Sequence, residues 1–296
     1  DQTESVRTIG KGRLFMSANS LQPVLDALQV KPDMHVDSDS PILFIHRTTD
    51  EGDIYFISNQ SEKPVDVRPS FRVAGKLPEL WNPLTAEIRR LPEFTCADGV
   101  TTVPIHLEGN ESSFIIFRKK ETPQETTARN YPRKEIVATV TTPWQVDFEK
   151  GKRGPEKTVL FPELQDWITN ADPSIRYFSG TAVYTNRITL DELPQKALYL
   201  DLGKVMVMAK VKINGQYVGG VWTTPYRLPV SDYLRKGENV IEVEVVNNWR
   251  NRLIGDDALP EKERATWANL NFWKADSPLQ SSGLMGPVEI QAYSYE

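Results

Sequence analysis

The sequence predicts a mainly β chain: two β-sandwich domains of jelly-roll or immunoglobulin-like type in series, preceded by a short β–α segment. Three observations carry this. The first half is a succession of short β-branched or aromatic runs, PILFIHRT, DIYFISNQ, VDVRPSFRV, AEIRRL, TTVPIHL and SSFIIFRKK, separated by turn residues at the spacing of an all-β sandwich. The second half alternates apolar and polar residues with period two, the pattern of strands with one face buried. Between the halves, Lys119 to Glu135 lacks any apolar run and reads as a linker. The division that follows is a β–α unit over 1–38, a first sandwich over 39–120, a linker over 121–135 and a second sandwich over 136–296.

The first element is Gly12 to Asp33, a strand followed by a helix. Ser20 or Asn19 can cap the helix, Leu21, Val24, Leu25 and Leu28 recur at i, i+3, i+4 and i+7, and Pro32 follows its end. One β–α unit cannot bury its own sheet, so it is expected to be the tail of a preceding α/β domain. In the second half, VMVMAKVKI sets Val205, Val207, Ala209, Val211 and Ile213 on one face and Met206, Met208, Lys210 and Lys212 on the other. ALYLDLG turns Leu198, Leu200 and Leu202 inward, VIEVEVV does the same with Ile241, Val243 and Val245, and the last strand buries Val288, Ile290 and Ala292. Short helical pieces are expected at FPELQDWI and SDYLRKGEN.

Within this half, NGQYVGGVWTTPY stands out. Asn214-Gly215 is a hairpin turn, because both residues tolerate positive φ. Gly219-Gly220 lets the returning strand bend or bulge. Trp222 and Tyr226 then reach the rim, where capping a core and facing a ligand are both open. Trp222, nearer the glycine bend, is expected to cap the core. Tyr226 follows Pro225, carries a hydroxyl that prefers a wet partner, and is expected at the rim.

Composition narrows the function. A net charge of −5 and a pI of 5.5, with no basic patch interleaved with aromatics, argue against nucleic acid. No run of about 18 apolar residues exists, which argues against a membrane-spanning helix. The chain begins at Asp1 with no apolar signal segment, as expected of a processed product or an excised piece. One cysteine, Cys96, cannot form an internal disulfide, and no Cys/His metal spacing is present. No cofactor is expected, with a structural calcium left open as an alternative; it would need six to eight oxygens, which Asp256 and Asp257 alone do not supply.

SGTAVYTNRITL, the long run from Tyr199 to Asp256, and SSGLMGPVEIQAY resemble, in order, the sugar-binding-like sandwich of glycoside hydrolase family 2, and the resemblance implies a galactose-binding-like jelly roll over 136–296. Ahead of them, GKGRLFMS, DIYFISNQSEKPVDVRPSFRV and LWNPLTAEIRRLP complete a chain that resembles the C-terminal, non-catalytic part of glycoside hydrolase family 106, the α-L-rhamnosidase-like enzymes. The resemblance implies that the catalytic carboxylates lie in a (β/α)8 barrel absent from these residues, so no catalytic residue is carried over. It implies a glycan and the catalytic domain of the same polypeptide as partners, and work in the periplasm or outside the cell.

The residues offered for carbohydrate binding are Trp222, Tyr226, Trp249, Arg252, Asp256, Trp267 and Trp273. Sugars bind by stacking their C–H faces on aromatic rings while polar neighbours take the hydroxyls. Trp249, Arg252 and Asp256 follow the VIEVEVV strand, in a segment read as a polar loop. Trp267 and Trp273 lie in a long patternless segment whose aromatics argue against disorder. An autonomous carbohydrate-binding module and a protein–protein spacer are the competing readings.

Overall fold

The computed structural model describes residues 5–16, 20–36, 39–119 and 128–295. The chain is mainly β and divides into two compact units, 1–131 and 132–296. The segment 120–127, most of the expected linker, lies outside the described residues. The end of that linker differs from expectation: Arg133 to Glu135 already belong to the strand Arg133–Thr139, since Arg133 pairs with Ser294 and Glu135 with Ala292.

The first unit opens with a hairpin, Ser5–Ile9 against Gly12–Met16, and a short helix, Gln22–Ala27. The single strand expected here is thus a pair, because Gly10 takes a positive φ and reverses the chain. Ser20 accepts a bond from the Gln22 amide at 3.0 Å, as a cap should, although Leu21 holds the cap position; Asn19 is outside the described residues. The helix buries none of its residues. The remainder is a five-stranded antiparallel sheet of Ile42–Thr48, Asp53–Asn59, Ser112–Lys119, Leu77–Trp81 and Ile88–Arg90, in that spatial order, together with smaller four- and two-stranded sheets. Tyr55, Phe71 and Phe117 fill the core and meet edge to face or tilted at 4.8 to 5.9 Å.

His106 sits opposite Asp66 in the strand pair Ile105–Leu107 and Val65–Val67, so their side chains share one face. Its Nδ1 lies 2.9 Å from Asp66 and its Nε2 3.6 Å from Glu108. The Glu108 carboxylate is the main influence holding the imidazole charged; burial opposes it, Asp66 reinforces it, and the pKa rises from 6.5 to about 9. A folded pKa above the unfolded one means that the stabilisation is complete below pH 6.5 and is lost as pH rises through about 9. With the ring a third exposed, screening leaves about 1 kcal/mol. Melting of the chain should therefore fall between those pH values, and His106→Gln should flatten that slope. A slope unchanged in the variant would remove His106 from the account.

The second unit is a sandwich of a six-stranded sheet, ordered Val159–Phe161, Trp144–Phe148, Thr181–Leu190, Gly237–Val246, Met208–Ile213 and Gln216–Val221, and a four-stranded sheet of Arg133–Thr139, Glu289–Ser294, Ala197–Asp201 and Arg227–Pro229. Period two holds where it was read: Leu198, Leu200, Leu202, Ile241, Val243, Val245, Val288, Ile290 and Ala292 are all buried. VMVMAKVKI is split. Lys204–Met206 pairs with Gly283–Gly286 in a separate small sheet, and only Met208–Ile213 joins the large one. FPELQDWI forms the end of a strand and a 3-10 turn at Trp167–Thr169, and SDYLRKGEN forms turns before Gly237, whose positive φ starts the next strand rather than ending a helix.

Candidate carbohydrate-binding surface

Two groups of the expected residues separate by burial. Arg252 and Asp256 belong to the interior. They lie on the helix Arg250–Asp257, where a polar loop was expected, and the i, i+4 spacing pairs Arg252 Nη2 with Asp256 Oδ1 at 2.9 Å. Asp256 is 2% exposed. Its Oδ2 accepts bonds from the amides of Ala265 and Thr266 and from Thr266 Oγ1, at 2.8–2.9 Å. Asp257 accepts from the Ala275 amide at 3.0 Å. These carboxylates fasten the long segment after the helix. Among the described residues, no group of three or more His, Cys, Asp or Glu is placed to hold a metal.

Two of the tryptophans, Trp249 and Trp273, carry cations against their rings. Trp249 precedes the helix and carries the Lys152 ammonium 5.2 Å from its ring centroid. Trp273 is half-buried, its ring covered by the Arg250 guanidinium at 4.1 Å, and Arg250 also donates to the Pro278 carbonyl. Arg250 thus joins the helix start to the long segment. Trp267 is 84% exposed, near Leu270 and Phe272, which are also exposed. The far end of the segment returns through Ser282, whose Oγ accepts from Asn247 and Asn251 at 3.1 Å.

The expectation for Trp222 and Tyr226 is reversed. Trp222 is 62% exposed, whereas Tyr226 is half-buried against the core, where burial raises the pKa of its phenol. The reason is parity. Val221 ends the edge strand Gln216–Val221 facing inward, so the next residue turns outward. Tyr226 follows the TTP turn and packs next to Arg227–Pro229 of the other sheet.

Two features of the second unit carried no signal in motif reading. Tyr217 is exposed on the edge strand. On the four-stranded sheet, Arg227 lies over the rings of Tyr199 and Tyr293, 5.6 and 4.9 Å from their centroids, and bonds the Tyr293 hydroxyl, which in turn donates to Gln291. Burial raises the pKa of the neighbouring Asp201. Cross-strand registers bring these residues together, and no local spacing announces them. The first unit has a cleft of about 320 Å³ lined in part by Lys31, His35 and Arg72, but Arg72 is paired with Asp33 and Lys31 donates to the Asp98 carbonyl.

Comparison with known proteins agrees with this architecture. Residues 1–95 match the family model described as alpha-L-rhamnosidase, and residues 167–277 that of the glycosyl hydrolase 2 galactose-binding domain-like family. The solved rhamnosidase of Novosphingobium sp. PP1Y superposes with a TM-score of 0.80 at 37% identity, over 97% of this chain and 27% of that one. A glucuronidase-like protein of Formosa agariphila is 36% identical over 228 residues, 68% of this chain and 19% of that protein. The chain therefore spans about a quarter or less of the length of these relatives. It is a glycoside hydrolase-related polypeptide, α-L-rhamnosidase-like over residues 1–95 and galactose-binding-like over residues 167–277.

Proposed function

We propose that this chain is the non-catalytic β-sandwich part of a carbohydrate-degrading, α-L-rhamnosidase-like glycoside hydrolase, acting in the periplasm or outside the cell. It supports a catalytic domain of the same polypeptide and contacts the glycan. The observation that carries this reading is the apolar surface of the opening segment. Val6, Ile9, Leu14, Met16, Leu21, Leu25, Leu28 and Val30 are all exposed along a hairpin and one short helix with its flanking residues. Exposed apolar side chains at this density are normally covered. A catalytic domain is the chosen cover because the matched relatives are about four to five times longer than the matched region. The one carboxylate among the expected site residues, Asp256, is occupied by a buried arginine and two backbone amides.

The test is hydrolysis of an aryl α-L-rhamnoside by the 296-residue chain. No release above the uncatalysed background is expected, because a glycosidase needs two carboxylates flanking the bond with room for sugar between them. Turnover by the purified chain that survives removal of contaminants would refute the non-catalytic reading.

A further inference from the structure

We propose that the outward face of the edge strand Gln216–Val221 is a glycan-stacking platform, built from Tyr217, whose hydroxyl end lies over Gly220, and Trp222. Only the class of ligand, a rhamnose-bearing glycan, rests on the functional reading above; the platform itself rests on geometry.

Three observations place these residues together. Along the strand, Lys210 pairs with Gly220 and Val211 with Gly219, but Lys212 pairs with Tyr217, so Val218 is an extra, bulged residue. Without it Tyr217 would share the inward parity of Gly219 and Val221; with it Tyr217 turns to the outer face. That face is where Tyr217 is found, 58% exposed. Its hydroxyl lies 3.7 Å from where a Gly220 Cβ would stand, so the ring is laid along the strand towards Gly220. Trp222 then projects from the same face two residues beyond, about 7 Å along the strand. Two large rings on one edge, both mostly in water, are not closing a core.

Gly220 supplies the second line of argument. The two adjacent glycines differ. A Cβ at Gly219 would sit 3.0 Å from the Leu228 side chain, so packing explains that residue. At Gly220 the φ is not in the left-handed region, and an added Cβ would meet neighbours no closer than 3.4 Å, which is ordinary contact. The backbone does not require glycine there; the missing side chain leaves room for the Tyr217 ring to lie along the strand, the use of glycine where another group approaches closely. Lys210, cross-strand from Gly220, and Glu244 on the strand beyond it, paired at 3.2 Å, lie beside the platform and offer a donor and a carboxylate acceptor to hydroxyls. A rhamnose ring suits such a platform: its C6 is a methyl group, which enlarges the apolar face available for stacking.

The test is affinity electrophoresis of the 296-residue chain in native gels containing rhamnogalacturonan I, with Trp222→Ala, Gly220→Val and, as a control on the opposite edge of the same sheet, Leu160→Ala. The chain and the control should be retarded. Trp222→Ala and Gly220→Val should each lose tenfold or more in affinity while their melting temperatures stay within about 2 °C of the parent. The valine is the sharper variant, because it favours a strand and acts on the platform by displacing the Tyr217 ring. Absence of retardation for the parent, retardation of Gly220→Val equal to the parent, or a marked drop in melting temperature for either platform variant would overturn the proposal. Rhamnoside hydrolysis by the chain would refute the non-catalytic reading and leave this one standing; loss of retardation does the reverse.

Discussion

Asp256→Ala should destabilise the second unit by about 3–5 kcal/mol, the range for removing one partner of a buried charged pair. The loss is larger than that of the contact itself. Arg252, 6% exposed, would keep a guanidinium in the interior without its carboxylate, and the amides of Ala265 and Thr266 would lose their acceptor. Denaturant unfolding of the variant should show the midpoint shift, and limited proteolysis should cut first between residues 258 and 282. Asp256→Asn should fall between the two, since it keeps an acceptor for the amides but not the charge. A loss below about 1 kcal/mol for the alanine variant, with the protease pattern unchanged, would mean that Asp256 does not fasten this segment.

Gly283→Val should have an effect of similar size, about 3–5 kcal/mol, from two sources. Gly283 has a φ of +100°, a region that a β-branched residue enters only with strain. Its Cβ would also stand 2.5 Å from Trp167 Nε1, and that indole is fully buried and donates to the Tyr184 hydroxyl at 2.5 Å. The ring has no free space into which to retreat, with Phe148 and Phe178 each centred 5.5 Å away. Near-UV circular dichroism should report the lost tryptophan packing and calorimetry the lower transition. A variant with native tryptophan signals and an unchanged transition would show that the ring yields without cost.

Both residues hold the long segment that carries Trp267 and Trp273, one at its start and one at its return. Neither could be assigned this role from the sequence. Asp256 reads as half of an acidic pair in a polar stretch, and only its place on a helix, four residues after Arg252, turns it inward. The spacing was visible, but the helix is short and follows a strand, so its period has too few repeats to register. Gly283 depends on an indole 116 residues earlier in the chain, and no local rule reaches that far.

What the sequence by itself determined is the strand content and the inward faces. Val and Ile alternating with Glu and Lys can bury only one set, so Ile241, Val243 and Val245 point inward wherever the strand lies. It also determined the turn at Asn214-Gly215, where both residues take positive φ. Only the tertiary structure decided which aromatic caps and which faces water. Trp222 and Tyr226 are four residues apart with similar apolar character, and their fates depend on one bulged residue, Val218, and on which sheet the chain enters after the TTP turn. A bulge inverts parity for every residue on one side of it, and its position is set by pairing with a neighbouring strand, information that period-two alternation within a single segment does not contain.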